Sequence, residues 1–250
     1  MENFIRNEQE TVDNLHIEGY KIIQNKDYFR YGMDAVLLSW FASKRIARNN
    51  KIIDLGTGTG ILPILLFLQS KNKHIDALEI QDYFVDIAKR NVILNNMNEF
   101  VNIIHGDIRE LPNEIKLGSY DVVVSNPPYM AIEDGMKNKN KIKAIARHEL
   151  KCNICDLVVA SSKLLKEKGK LIFVHKCERL VDIFFNMRKY NIEPKCINYV
   201  YPKKYKEPNL VLIEGIKNAK PCLKINNPII IYNNNGEYTN QLKEIYGYIE

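Results

Sequence analysis

A glycine loop with three acids, and a proline pair, are the features of this chain whose residue types and spacing do chemistry. Asp54, Leu55, Gly56, Thr57, Gly58, Thr59 and Gly60 follow a short apolar run and precede a helical pattern. Glycines there let the backbone turn sharply and let a ligand approach the main chain closely. The spacing is GxGxG, not GxGxxG, and Ile61 and Leu62 stand where a phosphate-binding loop needs Lys and Ser or Thr. That argues against a nucleoside triphosphate. Glu79 ends the next apolar run, 25 residues beyond Asp54, where a carboxylate can take both hydroxyls of a ribose. Asp107 ends the third run, within reach of an adenine amino group. Each acid alone reads equally well as a helix cap or turn residue. Together, at three strand tips around a glycine loop, they describe a crevice for a nucleoside with a cationic or amino-acid tail. S-adenosylmethionine is such a ligand, so Asp54, Gly56, Gly58, Glu79 and Asp107 are the expected cofactor-binding residues.

Asn126, Pro127, Pro128 and Tyr129 follow a fourth apolar run. Successive prolines remove backbone donors and stiffen the turn, holding the carbonyls and the Asn126 side chain outward. The Asn126 side-chain oxygen and the Pro127 carbonyl can accept both hydrogens of a planar target's NH2 group and stabilise positive charge developing there during methyl transfer. Tyr129 offers a face for stacking. The expected catalytic residues are Asn126, Pro127 and Tyr129. No strong base is needed, because a sulfonium donor is already activated and alignment is the main task. Alone, the motif is equally a strand followed by a proline turn; behind the loop and the acids it reads as a pocket.

These residues need a scaffold that brings strand ends together. From Lys51 on, short apolar runs alternate with helical patterns, the signature of a doubly wound, mostly parallel α/β sheet. Strands are expected at 51–55, 74–80, 101–107, 120–126 and 170–175, with helices at 61–70, 81–96, 148–166 and 178–190. The runs 196–201 and 209–215 are separated by too few residues for a crossover helix and should pair antiparallel. A strand at 228–232 and a helical turn at 240–246 close the chain. The first fifty residues read as an appendage, a hairpin within 15–29 and a helix over 33–46, packed beside the first core strand. The expectation is one domain with a seven-stranded core sheet over residues 51–250.

The net charge of +6 is uneven. Residues 195–224 hold seven lysines against two glutamates, and residues 130–151 hold six basic against three acidic side chains, while residues 1–50 balance at seven each. Such patches suit a polyanion; a generally Lys- and Asn-rich composition on a solvated surface gives the same count without binding. Five cysteines form no even set, and the Cys152–Cys155 pair lacks the second pair a zinc ribbon needs, so no metal site is expected. No apolar run reaches the roughly 18 residues of a membrane span, and the first twenty residues lack a secretory pattern. A cytoplasmic protein without a membrane role or an obligate protein partner is expected.

The order of the motifs resembles class I methyltransferases of planar exocyclic amino or amide nitrogens. Adenine-N6 enzymes of nucleic acid, guanine-N2 enzymes of ribosomal RNA and glutamine enzymes of release factors all use Asn-Pro-Pro-aromatic. Residues 29–38 (FRYGMDAVLL), residues 146–149 (ARHE), residues 236–239 (GEYT) and residues 245–247 (IYG) look like the bacterial tRNA1(Val) adenine-N6 methyltransferase family, over nearly the whole chain. That resemblance implies methylation of N6 of an adenine beside the anticodon of a valine tRNA. It also implies a class I, Rossmann-like fold, S-adenosylmethionine on Asp54, Gly56, Gly58, Glu79 and Asp107, and the base on residues 126–129. Asp34 lies near the methionine end of the cofactor or caps its helix. Arg147 and His148 contact tRNA phosphate or order the loop, and His148 alternatively caps the next helix. Lys203 and Lys204 belong to a lysine-rich segment that can clamp the RNA backbone, and the lysine-rich stretch 135–145 departs from the family pattern. Only 53 residues precede Asp54, fewer than the helical domain a release-factor enzyme carries there. No stretch is left over for a separate DNA-reading domain, whereas RNA loops present bases already unstacked.

Overall fold

The computed structural model describes residues 4–15, 17, 19–28, 30–72, 74–128 and 153–247. Strands β1 (Glu10–Asn14) and β2 (Lys21–Asn25) pair antiparallel, and helix α1 (Met33–Ser43) follows. The core runs β3 (Ile52–Leu55), α2 (Ile61–Ser70), β4 (Ile75–Glu79), α3 (Asp82–Leu94), β5 (Val101–His105), β6 (Tyr120–Ser125) and α4 (Ile154–Leu164). It continues through β7 (Leu165–Lys176), α5 (Leu180–Lys189), β8 (Ile192–Lys203), β9 (Leu210–Lys217), β10 (Lys224–Ile225), β11 (Ile229–Tyr232) and α6 (Asn240–Tyr246).

The sheet order is β5-β4-β3-β6-β7-β9-β8, with β10 and β11 both added to the outer edge of β8. Only β9 runs against its neighbours, inserted between β7 and β8. The expected antiparallel pair is therefore β8 and β9, joined by the short segment 204–209 because nothing longer is needed to reverse direction. The seven core strands are present, and β10 and β11 extend the sheet to nine.

Alternation along each strand feeds two cores. Ile52, Val122, Val124, Ile172 and Val174 face α1, α2, α3 and α6, whereas Ile53, Leu55, Val123, Leu171 and Phe173 face α4 and α5. Strands buried on both faces read as continuous apolar runs, and each fully buried Ile, Val, Leu or Phe contributes roughly 1.5–3 kcal/mol. Helix ends follow local chemistry. Asn153 and Asp156 form a reciprocal capping box on α4, and Thr239 caps α6, which ends at Gly247 with φ +72°.

The hairpin differs from expectation. Its first strand is Glu10–Asn14, upstream of the anticipated stretch, and it lies against α3. Asn91 and Asn95 supply what a third strand would. The Ile23 N–H donates to Asn91 Oδ1 at 2.6 Å and Asn91 Nδ2 donates to the Ile23 carbonyl at 3.1 Å. Asn95 repeats the exchange with Lys21 at 3.0 and 2.8 Å. Four residues of helix rise about 6 Å and two of strand about 6.8 Å, so side chains at i and i+4 match alternate strand residues. Arg90 reinforces the dock, donating to both carboxylate oxygens of buried Glu10 at 2.8 Å. Those bonds hold the Glu10 carboxyl below its usual range, against the opposing effect of burial.

Candidate functional site

Asp54, Gly56, Gly58, Glu79, Asp107, Asn126 and Pro127 converge at the C-terminal edge of the sheet because the strands leading to them are parallel and in register. Leu55 of β3 pairs with Leu78 of β4, Glu79 pairs with His105 of β5, and Asp54 pairs with Val124 of β6. Gly56, Glu79, Gly106 and Asn126 thus stand at four adjacent strand ends. In open α/β sheets this edge is where ligands bind.

The glycine loop is pinned to the tip of β4. The Gly56 and Thr57 N–H groups donate to the Leu78 carbonyl at 2.9 and 3.0 Å, and the Gly58 N–H donates to Glu79 Oε2 at 2.8 Å. Gly56 and Gly58 have φ of +77° and +57° with open space where a side chain would stand, so their requirement is conformational. At Gly60 a side chain would also press on Ala88 of α3 at 3.2 Å. Asn91 secures the loop from below, its Nδ2 donating to the Thr59 carbonyl at 2.8 Å.

Asp54 lies beneath this loop, 1% exposed. Neither of its carboxylate oxygens, nor the buried Thr57 hydroxyl, has a hydrogen-bonding partner among the described residues. Burial pushes its carboxyl up to about 7; the Thr57 hydroxyl beside it works the other way without reaching hydrogen-bonding geometry, and the Glu79 charge adds to the rise. An anion stored without partners under a ligand crevice is stabilised by a cation bound above it. The residues present therefore fit a ligand with a cationic amino-acid end.

The other acids have local partners. Glu79 Oε1 accepts from the Gln81 N–H at 3.0 Å, which starts α3. Asp107 Oδ1 accepts from the Arg109 N–H at 2.9 Å, and the Arg109 guanidinium donates to both Asp107 oxygens, its Nε shared between them at 3.0 and 3.1 Å. Ser125 Oγ donates to the Leu55 carbonyl at 2.7 Å and ties the tip of β6 to that of β3. Asn126 and Pro127 follow, half-buried, and Pro128 is exposed. Asp34 sits in the first turn of α1, accepting from the Ala35 N–H at 2.9 Å. On neighbouring β7, burial pushes His175 down to about 4, leaving its imidazole neutral, and its Nδ1 accepts from the Lys176 N–H at 2.9 Å.

Lys203 ends β8 and Lys204 follows it, both exposed and on the same sheet edge. Phe29, Tyr129, the stretch 135–145, Arg147, His148 and Cys152 lie outside the described residues. Among the described residues Cys155, Cys177, Cys196 and Cys222 are free thiols, and no cluster of His, Cys, Asp and Glu is placed to hold a metal ion. Sequence reasoning missed Thr57, Arg109 and Asn91. Thr57 was legible as the residue between two site glycines; Arg109 and Asn91 carried no signal, since pairing partners on a helix or turn look like ordinary surface residues.

The model of the methyltransferase small domain matches residues 32–188, which spans the loop, the acids and the proline pair. The chain belongs to the methyltransferase small-domain family. Among its relatives, proteins named tRNA1(Val) (adenine(37)-N6)-methyltransferase match over most of both chains. That of Aeromonas salmonicida is 26% identical, covering 94% of each chain. That of Tolumonas auensis is 30% identical over 78% of this chain and 79% of its own. The resemblance carried by the sequence motifs is thereby borne out. Solved structures support the fold. A predicted O-methyltransferase from Agrobacterium tumefaciens superposes with a TM-score of 0.69 at 17% identity, covering 86% of this chain and 96% of its own. TYW2 of M. jannaschii in complex with AdoMet superposes with a TM-score of 0.58 at 17% identity, covering 85% and 87%. The chain is a methyltransferase with the class I architecture.

Proposed function

We propose that this methyltransferase transfers a methyl group from S-adenosylmethionine to N6 of an adenine in the anticodon loop of tRNA1(Val), as a single cytoplasmic domain with residues 1–50 appended to the core. The observation that carries the reading is the crevice itself. A buried, unpartnered Asp54 under a glycine loop stands one strand from the Asn126–Pro127 turn, in a chain whose relatives bear that activity in their names.

Bound in the crevice, S-adenosylmethionine supplies an electrophilic methyl group on a sulfonium. Glu79 takes the ribose hydroxyls, Asp107 the adenine amino group, and Gly56 and Gly58 let the ligand lie against the main chain. Asp54 stabilises the cationic end. Asn126 Oδ1 and the Pro127 carbonyl accept the two N6 hydrogens of the target, turning the nitrogen lone pair toward the methyl group. As the N–C bond forms and the S–C bond breaks, positive charge grows on N6, and the same two oxygens stabilise it. The surplus N6 proton leaves to solvent after transfer, so no buried base is required. Tyr129 stacks on the base, while Arg147, Lys203 and Lys204 contact RNA phosphates.

The test is transfer of labelled methyl to separate pools of tRNA, ribosomal RNA, DNA and protein from cells lacking the enzyme. N6-methyladenosine in the tRNA pool is expected. N2-methylguanosine in ribosomal RNA, or label in protein, would overturn the reading in favour of the guanine or the release-factor glutamine class.

A further inference from the structure

Resting on the tRNA reading above, we propose that the turn between β8 and β9 is a stacking post for single-stranded RNA, with Tyr205 as its platform and Lys203, Lys204 and Lys206 on the flanking phosphates. The turn is built to present that ring. Lys206 N–H donates to the Lys203 carbonyl at 3.0 Å, closing a four-residue turn with Lys204 and Tyr205 at its corners. Tyr205 is 82% exposed. A tyrosine ring held out in water at the tip of a turn gains nothing from the fold, and its apolar faces recover free energy only when something flat covers them.

The surroundings specify what covers it. Three lysines within four residues stand against the single carboxylate of Glu207, and the Lys204 ammonium lies 5.6 Å from the Tyr205 ring centroid. An open groove at the ring is lined by Pro202, Lys203, Tyr205, Lys206, Glu207 and Tyr232, two ammonium groups against one carboxylate. Tyr232 is fixed there by a column of rings, stacking on Tyr238 at 5.5 Å, which stacks on Tyr246 at 5.9 Å. Exposed aromatic faces among cations are the signature of single-stranded nucleic acid. A duplex keeps its bases stacked and has no use for the ring.

The position fits the same substrate. β8 runs parallel to β6 and ends at the same edge of the sheet. From β6, which leads into Asn126, the order β7, β9, β8 gives three strand spacings, about 14 Å sideways, and Lys203 stands six residues beyond Ile197, the residue level with Ser125, which adds about 20 Å along the strand. The turn thus stands about 25 Å from the tip of β6 and projects beyond it on the same side, where the rest of a folded RNA whose base enters the crevice would lie.

The experiment compares wild type, Tyr205→Ala, Tyr205→Phe and the triple variant Lys203→Gln, Lys204→Gln, Lys206→Gln. It measures steady-state methylation of tRNA from cells lacking the enzyme, fluorescence anisotropy with a labelled anticodon stem-loop RNA, and S-adenosylmethionine binding. Tyr205→Ala is expected to raise KM for tRNA and the RNA dissociation constant about tenfold, the size one base stack supplies. The turnover number, cofactor affinity and salt slope should stay unchanged, and Tyr205→Phe should behave as wild type. The triple variant should flatten the salt dependence of RNA binding by about two units of slope. Tyr205→Ala with wild-type KM and RNA affinity, in an enzyme that does methylate tRNA, overturns the stacking post alone. A wild-type protein that neither binds the stem-loop nor methylates tRNA overturns both the post and the functional reading.

Discussion

Asp54 concentrates the electrostatics of the site, and its carboxyl near 7 makes two predictions with opposite pH signs. The folded, ligand-free protein holds the Asp54 proton more tightly than the unfolded chain, whose value is 3.8. Its contribution to stability is full below about pH 4 and is lost as pH rises through about 7, by roughly 4 kcal/mol in all. Asp54→Asn cannot ionise, so urea unfolding should show it level with wild type near pH 4 and more stable at pH 8. Equal pH profiles would contradict the stored charge. A cationic ligand needs the ionised form, so affinity for S-adenosylmethionine should fall as pH drops below 7, by up to tenfold per unit, and Asp54→Asn should lose both the affinity and its pH dependence. Calorimetric titration reads this directly. At Asn126 the effect should fall on turnover. Asn126→Ala should keep cofactor affinity within a few-fold and lower turnover about 100-fold, as loss of an acceptor to developing charge does. A variant retaining half its activity would remove Asn126 from the mechanism.

At the scale of elements, α3 does more than cover the sheet. Asn91 is fully buried and bonds the Ile23 N–H, the Ile23 carbonyl and the Thr59 carbonyl, joining hairpin, helix and glycine loop through one carboxamide. Asn91→Ala strands three backbone groups out of reach of water and should cost about 3 kcal/mol in urea unfolding. Asn95→Ala, nearer the surface, should cost about 1 kcal/mol. An Asn91→Ala loss under 1 kcal/mol would mean the hairpin holds by apolar packing alone. This coupling also explains what was and was not legible in the sequence. The core from Lys51 onward was readable because strands such as Val122–Val124 are buried on both faces and their turns carry glycine and proline. β1 (Glu10–Asn14) was not, because it alternates no apolar residues and is secured by Arg90 and by its partner strand. The start of β7 at Leu165–Lys170 and that of β8 at Ile192–Lys195 were missed for a related reason. Charged, glycine and proline residues stand there, and the ladder register shifts between Leu165 and Lys170 and between Pro194 and Cys196, so no apolar alternation marks either start. Of the site, glycines and acids were visible by type and spacing, whereas the partners of Asp107 and the loop contact of Asn91 depend on tertiary proximity.

Across the whole molecule, the parallel strands end at one edge, and that edge gathers the crevice, the Asn126–Pro127 turn and the lysines of the β8–β9 turn. Among the described residues no helix is long and apolar enough to cross a membrane. Of the seven lysines in segment 195–224, Lys203, Lys204 and Lys206 stand at that edge, whereas Lys195, Lys217, Lys220 and Lys224 lie toward the start of β8 at the other end of the strand, so a polyanion that approaches the site meets the three lysines of the turn. The polyanion proposed here delivers one adenine to the crevice. The most direct measurement incubates the purified protein with unmodified tRNA1(Val) transcript and labelled S-adenosylmethionine, cleaves the product with a guanosine-specific ribonuclease, and identifies the labelled fragment by mass spectrometry. A single N6-methyladenine in the anticodon-loop fragment is the predicted result. Label in any other fragment, on any other base, or absent from the transcript while protein accepts it, would contradict the account.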